Sequence, residues 1–77
     1  MEFTDTEKWL LSIMKQENST QLAIGDPDED DIMAANKLKE KHLIQSDGLF
    51  YYDNGNLKLN LILTKIGRQI IKQLNTK

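Results

Sequence analysis

Phe50-Tyr51-Tyr52-Asp53-Asn54-Gly55-Asn56-Leu57-Lys58-Leu59 is the stretch whose reading decides the fold. Asn-Gly is the preferred pair for a two-residue type I′ turn, because both central residues need positive φ. Taken literally, that turn pairs Tyr52 with Leu57 and Phe50 with Leu59. Side chains alternate along a strand, so these four share one face. Tyr51, Lys58 and Asn60 fall on the other face, toward water. Turn chemistry and alternation agree on one register.

Downstream of the hairpin, Thr64 caps a closing helix with the stripe Ile66, Ile70, Ile71 and Leu74. Gly67 lies on that stripe, where a missing side chain permits close approach to a neighbour. Upstream, Leu43-Ile44 enters a loop containing Ser46-Asp47-Gly48. Before it lies a long helix. Asp26 reads as its N-cap, Pro27 as its first residue and Glu29 as the third. Asp28, Glu29, Asp30 and Asp31 suit the positive end of the helix macrodipole, and Lys37, Lys39 and Lys41 suit the negative end. Ile32, Ala35, Leu38 and His42 recur at helical spacing.

Nearer the start, Thr4 and Glu7 have capping-box spacing. Trp9, Leu10, Ile13 and Met14 then form a stripe that ends near Glu17, before the polar break Asn18-Ser19-Thr20. Gln21 to Gly25 reads either as a turn of helix or as a short extended segment; both insert Leu22 and Ile24 into the core. The expected core is Trp9, Leu10, Ile13, Leu22, Ile32, Ala35, Leu38, Phe50, Tyr52, Leu57, Leu59, Ile66 and Ile70.

The 77 residues are enough for one α+β domain spanning 1–77, with no repeat or linker. Hydrophobic residues make up 39% and charged residues 29%, which suits a folded domain rather than a disordered one. Cysteine is absent, which removes disulfides and thiolate metal sites. No apolar run approaches a membrane span and no signal segment is read at the start, so a cytoplasmic protein is expected and the Asn18-Ser19-Thr20 sequon carries no weight. The net charge of −2 is unevenly spread: residues 1–25 sum to −2, residues 26–41 to −3 and residues 42–77 to +3.

The order helix, short segment, helix, hairpin, helix is the layout of a winged-helix domain, a helix-turn-helix followed by a hairpin wing. Residues 35–44 resemble the end of a winged-helix recognition helix entering its first wing strand. Leu63-Thr64 with Gly67 resembles the start of the helix that follows the wing. Within that superfamily the chain is similar to the small YjcQ-like proteins of bacteria and prophages. The similar positions are Ile24-Gly25, Asp30, Ala35, Leu38-Lys39, Leu43-Ile44, Leu63-Thr64 and Gly67. The resemblance implies a winged-helix fold and a bacterial or phage setting, with no biochemical activity to carry over. One departure stands out. DNA-reading winged helices place small polar or basic residues at the start of the recognition helix, nearest the bases. Here Asp26, Asp28, Glu29, Asp30 and Asp31 occupy that place.

An enzyme is not expected. The chain holds no nucleophile with its base, no phosphate-cradling glycine loop and no recognisable carboxylate pair. Asp26, Asp28 and Asp30 have the first spacings of a calcium loop, but Asp31 and Lys37 stand where glycine and glutamate are required. His42 is the only histidine, and it reads as a helix-end residue rather than a ligand. Trp9, Phe50 and Tyr52 read as core rather than as stacking platforms, since few bases neighbour them. Tyr51, on the outer face beside Lys58, is a better contact candidate. No cofactor or metal is expected.

Two functions remain. The first is DNA binding in a transcription or phage regulatory setting, through Met33, Asn36, Lys37 and Lys41 on the helix and Asn54, Asn56 and Lys58 on the wing. A wider phosphate surface would add Lys65, Arg68 and Lys72. The second is a protein-interaction module, in which Asp28, Glu29, Asp30 and Asp31 attract a basic protein partner.

Overall fold

In a computed structural model, which describes residues 2–74, the chain forms α1 (Asp5–Gln16), β1 (Gln21–Gly25), α2 (Glu29–Glu40), β2 (Phe50–Asp53), β3 (Asn56–Ile62) and α3 (Lys65–Gln73). The three strands make one antiparallel sheet in the order β1-β3-β2. The fold is therefore α+β.

The hairpin register follows from its turn. Asn54 and Gly55 both take positive φ (53° and 79°), as a type I′ turn requires. Phe50 then pairs with Leu59, Tyr51 with Lys58 and Tyr52 with Leu57. The segment 21–25 is extended: Leu22 pairs with Leu61 and Ile24 with Leu59. Both side chains are half-buried against the core, on the face they share with Leu59 and Leu61. α1 and α2 are thus separated by a strand, not joined by the short turn of a helix-turn-helix pair.

Both long helices end in the same way. Asn18 and His42 take left-handed φ of 51° and 62°. The N–H of Ser19 reaches back to the Met14 carbonyl, and that of Leu43 to the Leu38 carbonyl. Asn18 donates to Lys15, and His42 to Lys39. These are Schellman pairs, which satisfy carbonyls that would otherwise lack partners. His42 serves the helix end through its backbone, in a conformation better suited to glycine.

The start of α2 differs from the sequence reading. Asp28, not Asp26, is the N-cap: its carboxylate accepts from the Asp31 N–H (2.9 Å), and Asp31 accepts from the Asp28 N–H (3.2 Å). Asp26 sits in the preceding turn with φ 48°. A capping box needs a side-chain acceptor at an extended N-cap residue and another three residues on; Asp28 is extended (φ −87°) and pairs with Asp31, whereas the left-handed Asp26 is not extended.

One cluster forms the core: Leu10, Leu11 and Met14 of α1, Ala34, Ala35 and Leu38 of α2, Leu59 and Leu61 of β3, and Ile71 of α3. The α2–β2 connection and the residue after β3 add Leu43, Ile44, Leu49 and Leu63. Four expected core residues are exposed instead. Trp9 is 58% exposed, Tyr52 is 74% exposed, and Phe50 and Ile66 are also exposed. The expected core residues Ile13, Leu22, Ile32, Leu57 and Ile70 are only half-buried.

Each miss has a geometric cause. At 100° per residue, the buried α1 positions Glu7, Leu10, Leu11 and Met14 define a face that Trp9 opposes. On α3, Gly67, Ile71 and Leu74 centre the inward face and Ile66 stands about a quarter-turn away. Along β3 full burial begins at Leu59, so the hairpin end that carries Phe50 and Tyr52 extends past the helices.

Candidate functional site

The surface that α2 presents to solvent follows from the face it buries. Ala34, Ala35 and Leu38 point inward, leaving Glu29, Asp30, Met33, Lys37 and Glu40 outward. Met33 lies near the middle of this face and is 55% exposed. Glu29 and Asp30 stand one turn before it on this face, Lys37 one turn after and Glu40 two turns after. Met33 and Lys37 also border a shallow cleft of about 90 Å³, closed on its other side by Thr4 and Thr6.

The acids at the start of α2 divide into two pairs. Asp28 and Asp31 are engaged in the capping box. Glu29 and Asp30 are exposed in the first turn. The positive end of the helix macrodipole favours all four charges, but only the second pair lacks a capping role.

The basic residues expected to meet phosphates do not gather on this face. The Lys41 ammonium pairs with Glu7 at 2.5 Å and sits 4.9 Å from the centroid of the Phe3 ring. Its charge is directed toward α1. Asn36 is half-buried beside the outward face, while Lys37 is exposed. On the hairpin, Asn54 and Asn56 are exposed at the turn. Lys58 is half-buried on the outer sheet face, paired with Tyr51 and lying back over Gly25, where an added Cβ would come within 3.0 Å of its Nζ. Lys65, Arg68 and Lys72 lie on α3. The structure thus brings Met33 and Lys37 together on α2, sets Asn54 and Asn56 at the hairpin turn and takes Lys41 inward.

Glu7 is the residue whose role the sequence reading understated. Its side chain is fully buried. One carboxylate oxygen accepts from the Thr4 N–H (3.0 Å), and the other accepts from Lys41. Burial by itself raises its pKa, but the bonds from Lys41 and Thr4 outweigh it and hold the carboxyl below its ordinary value. The signal was present in the spacing: Glu7 shares a helical face with Leu10, Leu11 and Met14, and a carboxylate there needs a cation.

A second structural knot joins the end of α2 to α3. Thr64 caps α3 by accepting from the Gly67 N–H (3.0 Å), and its hydroxyl donates to the His42 carbonyl (2.6 Å). Its N–H donates to the Leu43 carbonyl (3.0 Å). A Cβ on Gly67 would stand 2.0 Å from that same carbonyl oxygen. The Leu63-Thr64 and Gly67 positions of the family resemblance are accounted for by packing.

Comparison with family models, curated proteins and solved structures returns no match. Among the described residues, no helix is long and apolar enough to cross a membrane.

Proposed function

We propose that the chain is a non-enzymatic protein-interaction module on a winged-helix-like scaffold, and that the outward face of α2 docks a basic partner. The observation that carries this reading is Met33, exposed on an outward face that holds Glu29 and Asp30 one turn before it, Lys37 one turn after and Glu40 two turns after. An apolar anchor with a carboxylate rim suits a cationic amphipathic segment: the apolar contact supplies affinity, and the charge steers encounter. The shallow cleft beside Met33 gives such a segment a place to seat.

The winged-helix reading is supported by the sheet order β1-β3-β2, by the helix between β1 and β2, and by a hairpin closed through Asn54-Gly55. A single helix in that interval departs from the helix-turn-helix pair. A YjcQ-like relationship in a bacterial or prophage cytoplasm is the setting that the resemblance implies.

DNA binding is the rival reading of the same scaffold. The charge distribution weighs against it, because Lys41 is engaged with Glu7 and carboxylates outnumber Lys37 on the outward face. Phosphates brought to the start of α2 would meet like charge.

The test is an amide NMR titration of the labelled protein at low salt, with a lysine-rich amphipathic peptide and, separately, a random-sequence duplex. The expected result is peptide-induced shifts at residues 29–40 that disappear when Glu29, Asp30 and Glu40 are changed to their amides. Duplex-induced shifts at residues 33–41 and 54–58 that fade as salt rises would replace this reading with DNA binding.

A further inference from the structure

We propose that the cleft between the C-terminal end of α1 and α3 binds a small organic phosphate monoester with an apolar body, about the size of a mononucleotide. The cleft has a volume of about 370 Å³, within the roughly 300–1,000 Å³ range of ligand sites. Met14, Leu63 and Ile71 supply its apolar lining, and Lys15, Arg68 and Lys72 its charge. No carboxylate is among the described residues that line it. It includes no residue of α2 and is independent of the face proposed above.

Among the described residues, the cations are positioned without being neutralised. Lys15 donates to the Leu74 carbonyl, and an Arg68 nitrogen donates to the Leu63 carbonyl at 3.3 Å. A carbonyl fixes a cation's direction and leaves its formal charge intact. An ammonium keeps two further donors after such a bond, and a guanidinium keeps four. Lys41 is the contrast: its partner is a carboxylate that cancels the charge. Lys72 follows Arg68 by one helical turn and faces the same cleft.

Matching of helix dipoles accounts for part of this arrangement, since Lys15 and Lys72 stand in the last turns of their helices. It does not account for Arg68, which lies in the middle of α3, or for the open apolar volume beneath the three charges. Three cations suit a dianion better than a single carboxylate, and the guanidinium fork matches two phosphate oxygens. The apolar lining selects a ligand with a hydrophobic or planar body over the free anion.

Phenyl phosphate and inorganic phosphate are the probes, titrated into the labelled full chain at pH 7.5, where a phosphate monoester is largely dianionic. Saturable amide shifts at residues 18–20 and 68–72 are expected, with phenyl phosphate binding about tenfold tighter than inorganic phosphate. Arg68→Gln and Lys72→Gln, both at exposed positions, should each weaken binding about tenfold with the remaining spectrum unchanged. Non-saturating shifts, equal affinity for the two probes, or unchanged affinity in the doubly substituted protein overturns the proposal. So does a short duplex that shifts the same amides at lower concentration than phenyl phosphate, which would make the cleft part of a nucleic-acid surface.

Discussion

Glu7 in the first turn of α1 and Lys41 at the end of α2 are 34 residues apart in sequence, and their side chains form an ion pair beneath the Phe3 ring. The pair ties the first turn of α1 to the end of α2, beside the apolar packing of Leu10, Leu11 and Met14 with Ala34, Ala35 and Leu38. Its geometry makes the two partners unequal. Glu7 is fully buried, whereas the Lys41 side chain keeps a quarter of its exposure. Lys41→Met should therefore destabilise the fold by about 2–4 kcal/mol, since it leaves a buried carboxylate without a counter-charge. The combined Glu7→Leu, Lys41→Met protein should recover most of that loss, because apolar replacement of a buried pair is often neutral. Urea denaturation of the three proteins checks both statements; equal stability of Lys41→Met and the parent would refute the pairing.

The same pair sets an acid response. The folded-state pKa of Glu7 is lowered, so its contribution is present above the unfolded value of about 4.3 and is lost as pH falls through the folded value. In Lys41→Met, burial still raises the Glu7 pKa while only the Thr4 bonds remain to lower it, so the folded value moves up from that of the parent. The stability deficit of that variant should then narrow as pH falls through the parent's lowered folded value, below which Glu7 is protonated in both proteins. Denaturation midpoints measured from pH 3 to 7 read this directly, and a deficit independent of pH would contradict it.

Gly67 offers a test in which two effects oppose one another. Alanine is the better helix former by about 1 kcal/mol. Yet a Cβ at this position would lie 2.0 Å from the Leu43 carbonyl oxygen, which is backbone and is held by the Thr64 N–H. Gly67→Ala should therefore lose about 3 kcal/mol or more despite its propensity, because α3 must move off the α2–β2 connection. A thermal midpoint at or above that of the parent would show that the close approach does not govern this helix.

His42 is predicted to behave in the opposite sense. It occupies a left-handed position in a Schellman ending, where a side chain costs about 1 kcal/mol. His42→Gly should raise stability by about 0.5–1 kcal/mol, with part of the gain offset by a freer unfolded chain. A loss of stability would mean that the imidazole makes a contact that outweighs its backbone strain.

The hairpin's register was legible, because Asn54-Gly55 and the alternation around it constrain a single pairing, but the exposure of Phe50 and Tyr52 was not. Helix ends were legible where a cap has a distinct chemistry: Thr4 with Glu7, and Thr64. Position was lost where several residues offered the same chemistry, and five acids between Asp26 and Asp31 admitted a cap two residues too early. Burial was misread for a different reason. An apolar stripe search passes over a buried carboxylate, so the inward face of α1 was drawn through Trp9 rather than through Glu7. Leu43, Ile44 and Leu49 have no periodicity to betray them, since they lie in a connection whose course is set by β3 and α3. Lys41 looked available for phosphate because its partner is remote in sequence, and such pairings are invisible without the tertiary crossing of α1 over α2.

The acids of α2 separate stability from binding. Asp28 has a structural task, and Asp28→Ala should cost about 1 kcal/mol through loss of the cap. Glu29 and Asp30 are exposed and outside the capping box, so Glu29→Gln with Asp30→Asn should change stability by less than about 0.5 kcal/mol, apart from a small loss of dipole matching. If α2 docks a basic segment, the second pair of substitutions should weaken its binding and reduce its salt dependence, while leaving the melting curve in place. Asp28→Ala should do the reverse, lowering the melting temperature with little effect on the affinity of the folded protein. Binding that follows Asp28 rather than Glu29 and Asp30 would place the contact at the cap itself and not on the face centred on Met33.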